Sequence, residues 1–197
     1  MFDYPDGATP FDPDAAIGLK VPVETREELD QVEQRNIHTG MIWLSGEKDS
    51  DILTTFFATT LHMKLFGDVW NWAGQVRNRE LSIGIDPLQI REQLPQLIGM
   101  AGYWVEHDTY SPLEAATRFH HRLAQIHPFY NGNGRHARIY ADALLEKVYG
   151  VPSIDWAKGA NLQQDNVVRR AYIGALQAAD AGNFGPLLDF TGDGYTA

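Results

Sequence analysis

The sequence predicts an all-α (mainly α) single domain interrupted by one short β-hairpin. Three observations predict it. Two segments open with strong helix-start signals, Thr25-Arg26-Glu27-Glu28 and Ser111-Pro112-Leu113-Glu114. Apolar residues recur at spacings of three and four along most of the long segments. One stretch, Leu81-Ser82-Ile83-Gly84-Ile85, alternates apolar and polar residues with the period of a strand. With 197 residues, 44% of them hydrophobic, the chain can bury one sizeable core.

In chain order, residues 1–23 carry four of the ten prolines and read as an irregular arm, and residues 24–197 read as the domain. Thr25 caps a helix through about Ile37, with Leu29, Val32 and Ile37 as its apolar stripe. A second helix is expected from about Asp49-Ser50-Asp51 to Leu65, its stripe being Ile52, Phe56, Thr59 or Thr60, and Met63. Trp70 and Trp72 follow as core anchors. Arg77 to Glu80 and the alternating stretch make the hairpin. Asp86-Pro87 opens a third helix toward Val105, with a break available at Pro95. From Ser111 a fourth carries Leu113, Ala116, His120, Leu123 and His127 on one stripe. Ile139, Ala143, Leu144 and Val148 line the next, which Gly150-Val151-Pro152 stops. A last helix spans about Asn161 to Ala181 and ends at Gly182-Asn183.

Composition excludes several functions. The net charge of −10 argues against direct nucleic-acid binding and against anionic membranes. No apolar run reaches the length of a membrane span. The acidic start Met1-Phe2-Asp3-Tyr4-Pro5-Asp6 lacks the apolar core of a signal peptide, so a cytoplasmic location is expected. There is no cysteine for a disulfide, a thiolate nucleophile or a cysteine-zinc site.

Chemistry concentrates in His127-Pro-Phe-Tyr-Asn-Gly-Asn-Gly-Arg-His-Ala-Arg138. Gly132 and Gly134 suit positive φ and a close approach of backbone N–H groups to an anion. The helix that follows offers a positive N-terminus. Arg135 and Arg138 are three residues apart and share a face of its first turn. His127 stands beside them with an ordinary pKa near neutrality, suited to a general base. The pattern reads as a phosphate site with a base.

This window resembles the motif of the Fic (Fic/Doc) family, His-x-Phe-x-Asp/Glu-Gly-Asn-Gly-Arg-x-x-Arg. His127, Phe129, Gly132, Asn133, Gly134, Arg135 and Arg138 match it, while Asn131 replaces the usual acid. Upstream, Leu65-Phe-Gly-Asp-Val-Trp-Asn-Trp-Ala-Gly-Gln-Val-Arg77 is similar to the segment that leads to the family's flap. The resemblance covers roughly residues 50–150, and the whole chain is similar to the small subgroup called mobile mystery protein B. It implies a Fic-type helical bundle with the flap at about 75–85 and the motif loop at 127–138. It also implies transfer of AMP from ATP to a Ser, Thr or Tyr hydroxyl of a target protein, in a toxin-like setting with an antitoxin or DNA-binding neighbour.

In that reading His127 takes the proton of the target hydroxyl. Gly132, Asn133 and Gly134 hold the inner phosphates, and Arg135 and Arg138 neutralise the outer ones. Leu81, Ser82 and Ile83 of the flap add the target segment as a strand. Phe129 is a buried anchor. Asn131 takes the place of the acid that holds Mg²⁺, and an amide oxygen is a weaker ligand than a carboxylate. Many Fic proteins carry an inhibitory helix reading Ser/Thr-x-x-x-Glu-Gly/Asn. Glu33 aligns with its glutamate, but Leu29 and Gln34 break the pattern, so Glu33 is expected on the surface. Two other readings stay open. One is a catalytically silent Fic fold that acts as a binding partner. The other is an HD-type metal phosphohydrolase built on His107-Asp108.

Overall fold

The computed structural model describes residues 17–47 and 52–192. Seven α-helices account for most of them: α1 (Arg26–Gly46), α2 (Thr55–Phe66), α3 (Pro87–Glu106), α4 (Pro112–Ile126), α5 (Asn133–Ala143), α6 (Val167–Asp180) and α7 (Gly185–Thr191). A π-helical turn, Leu144–Tyr149, extends α5. α4 lies at the centre, packed on α3, α5 and α7, while α1 pairs with α2 and α6 with α7. The first sixteen residues of the expected arm lie outside the described residues. Its end, around Gly18 to Lys20, is bound to the domain: Lys20 N–H donates to Val69 C=O, and Asn71 N–H donates to Gly18 C=O.

Three predicted helix starts stand: Thr25 and Glu28 close a reciprocal capping box, Asp86 caps α3 and Ser111 caps α4. α2 begins later than expected, behind a Thr54 cap, and Asp49-Ser50-Asp51 lie outside the described residues. α1 continues to Gly46 because its buried face runs on through Asn36, Gly40 and Leu44, which an apolar stripe does not register. At Gly40 a Cβ would come within 2.8 Å of Lys64 C=O, so the missing side chain lets α1 and α2 touch backbones. Pro95 leaves α3 unbroken. It sits on the exposed face, where the carbonyl that loses its partner is open to solvent.

Three expectations fail. The stripe on α2 is displaced by one position: Phe57, Ala58, Leu61, His62, Leu65 and Phe66 face inward, while Phe56 and Met63 are exposed. His62 is the polar member that conceals this face from a search for apolar spacing. The hairpin is absent among the described residues. Residues 81–86 do alternate in exposure as a strand would, but they are bent and pair with no ladder. The last helix begins at Val167, behind an Asn166 cap, and is followed by α7, which the sequence reading did not include. α7 is anchored by a Thr117–Thr191 hydroxyl pair at 2.9 Å.

Candidate active site

The motif loop joins the end of α4 to the start of α5. His127 ends α4 with a left-handed backbone (φ 53°, ψ 60°) that turns the chain toward α5. Gly132 is the N-cap of α5, also left-handed at φ 76°, and a Cβ there would lie 2.6 Å from the Phe66 ring. Gly134 differs from the expectation: it is helical, in the first turn of α5, and a Cβ would meet only Arg138 Nη1, at 3.6 Å. Its missing side chain therefore keeps the cleft open and is not needed for the turn.

The loop is held from inside. Asn133 is buried, its Oδ1 accepting Phe129 N–H (2.9 Å) and its Nδ2 donating to Phe129 C=O (2.8 Å). That side chain is thus a brace, and only the backbone of Asn133 is left to an anion. Phe129 is fully buried and stacks on His62 with ring centroids 3.8 Å apart. Gly74 N–H donates to His62 Nδ1 (2.9 Å), so the ring proton must sit on Nε2, which donates to Asn131 C=O (2.9 Å). Burial, with the nearby His136, holds His62 neutral well below its ordinary pKa. One buried imidazole thereby ties the motif loop to the turn after Trp72.

A cleft opens above the first turn of α5. Its walls bring together His127, Asn131, Gly132, Asn133, Gly134, Arg135 and Arg138, and Ile83 from the flap segment. Ile83 reaches the cleft, whereas no contact of Leu81 or Ser82 with it is seen. Arg26 of α1, and Arg169, Tyr172 and Leu176 of α6, also line it, and among the described residues no carboxylate belongs to its walls. A local positive field is thus set into a chain of net charge −10.

His127 Nδ1 lies 3.3 Å from Ala124 C=O and donates to it, which leaves the Nε2 lone pair as the basic site. Burial first, and the charge of Arg77 after it, lower the pKa of His127 to about 4. The imidazole is therefore a neutral base at physiological pH. Arg77 is almost fully buried. It donates through Nε to His127 C=O (2.7 Å) and through its Nη atoms to Arg79 C=O and Ile85 C=O, at the two ends of the flap segment. Its backbone N–H donates to Pro128 C=O (2.9 Å).

The two motif arginines have different surroundings. Arg138 Nη1 donates to Tyr172 OH (3.4 Å), which contacts His120 Nε2 (2.9 Å). Arg135 Nη1 is bound to Glu33 Oε2 at 2.6 Å, and its guanidinium lies over the Phe66 ring. Glu33 is only 2% exposed, and its other oxygen accepts Trp70 Nε1–H at 2.7 Å. The surface glutamate of the sequence reading is therefore a buried one, and its partner is the first motif arginine. His120 and His121 are both buried, against Tyr172 and Asp180 respectively.

Asn131 Oδ1 accepts Gly132 N–H at 2.7 Å. With no carboxylate on the cleft walls, the donor set suits Mg²⁺ poorly: one neutral amide oxygen, itself already hydrogen-bonded. His107 caps the end of α3 and stacks on Tyr103. Among the described residues no three His, Asp or Glu side chains gather in a metal-binding set.

Residues 52–145 match the family model described as the Fic/DOC family. The chain carries a Fic/DOC domain. Curated relatives of this Fic chain include the protein adenylyltransferase fic-1 of Caenorhabditis elegans, 26% identical over 125 residues, or 60% of this chain and 22% of that protein. The protein adenylyltransferase Fic of Drosophila yakuba is 30% identical over 137 residues, 68% of this chain and 26% of that one. The chain spans between 15% and 40% of the length of these curated relatives. Among solved structures, BepC of Bartonella tribocorum with bound AMPPNP aligns at TM-score 0.71, with 18% identity, over 95% of this chain and 93% of that one. Fic-1 of C. elegans aligns at 0.64 and 22% identity, over 87% and 49%. At these identities the structural likeness is one of Fic fold.

Proposed function

We propose that the protein is an adenylyltransferase that moves AMP from ATP to a hydroxyl side chain of a target protein. The observation that carries this reading is the cleft itself. A neutral base, His127, faces the same space as the positive N-terminus of α5 and the guanidinium of Arg138. The family match and the adenylyltransferase relatives agree with it.

The inner phosphates sit against the first-turn N–H groups of α5 and the Gly132–Gly134 backbone. Arg138 draws charge from the outer ones. A neighbouring groove of about 420 Å³ shares Ile83, Ala124 and Leu176 with the cleft and receives the nucleoside. The target hydroxyl gives its proton to His127 Nε2, and its oxygen attacks the α-phosphorus. A new P–O bond forms, the bond to the β-phosphate oxygen breaks, and pyrophosphate leaves. The unpaired stretch around Ile83 offers backbone groups to an extended target segment. Mg²⁺, if used, is held chiefly by the phosphates, and no step depends on it here.

The test is incubation with labelled ATP, UTP, CTP and GTP and a cell lysate, beside the His127→Ala variant. Labelled protein bands from ATP, lost in the variant, support transfer. Absence of bands with every nucleotide favours the second reading, a catalytically silent Fic fold that binds a partner. Asn131 and the lack of carboxylates among the described residues of the cleft are the observations behind that alternative.

A further inference from the structure

Of the two motif arginines that line this cleft, Arg138 and Arg135, the second does not lend its charge to it. Arg135 is engaged by Glu33, a buried carboxylate that cancels its charge, and it is wedged over Phe66. Yet the cleft holds a further guanidinium that no motif contains. Arg26 opens α1 and lines the same walls as Arg138. It lies seven residues, two turns, before Glu33, hence on the same side of the helix. α1 thus holds one cation of the site in a buried ion pair and brings up another whose ion pair, with Asp30, is part-exposed.

We propose that Arg26 is, with Arg138, the clamp on the outermost phosphates of the nucleotide and on the pyrophosphate that departs. The inference rests on the nucleotide reading above and names a residue for it. Arg169 shows how crowded the positive charge is: its pKa is lowered first by burial and then by Arg138, with Arg26 also contributing. Arg169 itself is a fixture, almost wholly buried and donating to Leu162 C=O. Arg26 is different. Its side chain is about one-third exposed, and Asp30 takes its Nε at 3.0 Å. Such a part-exposed i,i+4 pair holds weakly, unlike the buried Glu33–Arg135 pair, so it does not withhold Arg26 from an anion laid among the guanidiniums of the cleft. The charge that appears on pyrophosphate as the P–O bond breaks is such an anion, and a guanidinium fork matches its oxygens.

Calorimetric titration of ATP, AMP and inorganic pyrophosphate against the wild type, Arg26→Ala and Arg26→Lys tests the proposal. Arg26→Ala is expected to weaken ATP and pyrophosphate by roughly ten- to a hundred-fold, the range for a lost hydrogen bond to a charged group, and to leave AMP within about two-fold. Arg26→Lys recovers part of the loss, since charge returns without the fork. Circular dichroism checks that the variants keep their helix content. Equal affinities for ATP in wild type and Arg26→Ala overturn the proposal. So do equal losses for AMP and ATP, or a wild type to which pyrophosphate does not bind. The transfer reading fails separately, in the lysate experiment, where a protein that binds pyrophosphate through Arg26 but labels nothing would be a nucleotide binder without transferase activity.

Discussion

Glu33 and Arg135 meet at 2.6 Å across the interface between α1 and α5, with Glu33 only 2% exposed. Removing one partner of a buried ion pair leaves the other charge stranded, which costs about 3–5 kcal/mol. Glu33→Ala is therefore expected to lose that much stability in urea unfolding. The double variant Glu33→Ala/Arg135→Ala should lose clearly less than the sum of the single changes. An additive result would mean that the pair is not coupled.

The two motif glycines separate fold from function. Gly132→Ala forces a Cβ onto the Phe66 ring at a positive φ and is expected to cost about 1–3 kcal/mol. Gly134→Ala meets no backbone, sits in a helix and is expected to be neutral or to stabilise by about 0.5–1 kcal/mol. Its methyl group enters the phosphate cleft, so ATP binding should fall while the melting temperature holds. A Gly134→Ala variant that binds ATP like the wild type would place the phosphates elsewhere.

The low pKa of His127 has a kinetic signature. An imidazole of ordinary pKa would be about nine-tenths protonated at pH 5.5. His127, lowered to about 4 by burial, stays in its basic form there. The rate kcat/KM for label transfer should therefore change little between pH 7 and 5.5. The limb for kcat should lie higher, because bound phosphates favour the imidazolium. His127→Ala should lower transfer by about 10²–10⁴-fold and leave ATP affinity almost unchanged.

Acid should unfold the protein early. His62, His120, His127 and His136 are all held neutral by burial, with folded pKa values lowered from 6.5. Below pH 6.5 the unfolded chain takes up protons that the folded one refuses, so stability falls as pH drops toward 4. Each such group contributes at most about 1.4 kcal/mol per pH unit. Asp142, pushed up to about 6 by burial, acts the other way between 6 and 3.8, but it is one group against these four and His121, whose pKa burial also lowers. Thermal melts at pH 7, 5.5 and 4.5 measure the slope. A flat profile would contradict the buried neutral imidazoles.

Asn131→Asp supplies the missing carboxylate. If the metal rides on the phosphates near this side chain, the variant should label targets faster at low Mg²⁺, and the advantage should vanish at saturation. A rate unchanged or lower at every Mg²⁺ concentration would favour the silent reading.

The sequence made the helix starts legible because capping is local: Thr25, Asp86 and Ser111 each act within one turn. His127, Asn131 to Arg135 and Arg138 come together at one cleft for the same reason, lying within one short stretch. What stayed hidden was the support from distant positions. Nothing in the pattern around His62, Arg77 or Arg26 shows that they reach the loop or the cleft, and at Glu33 the only signal was an alignment broken by Leu29 and Gln34. A polar residue on a buried face looks, in sequence, like a solvated one. The hairpin was misjudged because alternation reports which faces are buried and says nothing about a pairing partner.

Arg77 grips the backbone of His127 with one nitrogen and both ends of the flap segment with the others. If the flap segment seats the target as proposed, target docking and base alignment share a single rigid fork. A target that seats well on the flap holds that fork true, while a poorly seated one tilts the imidazole away from the line of attack. Discrimination among targets is then expected to appear in turnover more than in affinity: weak competitors would still occupy the flap, but they would leave it unmodified.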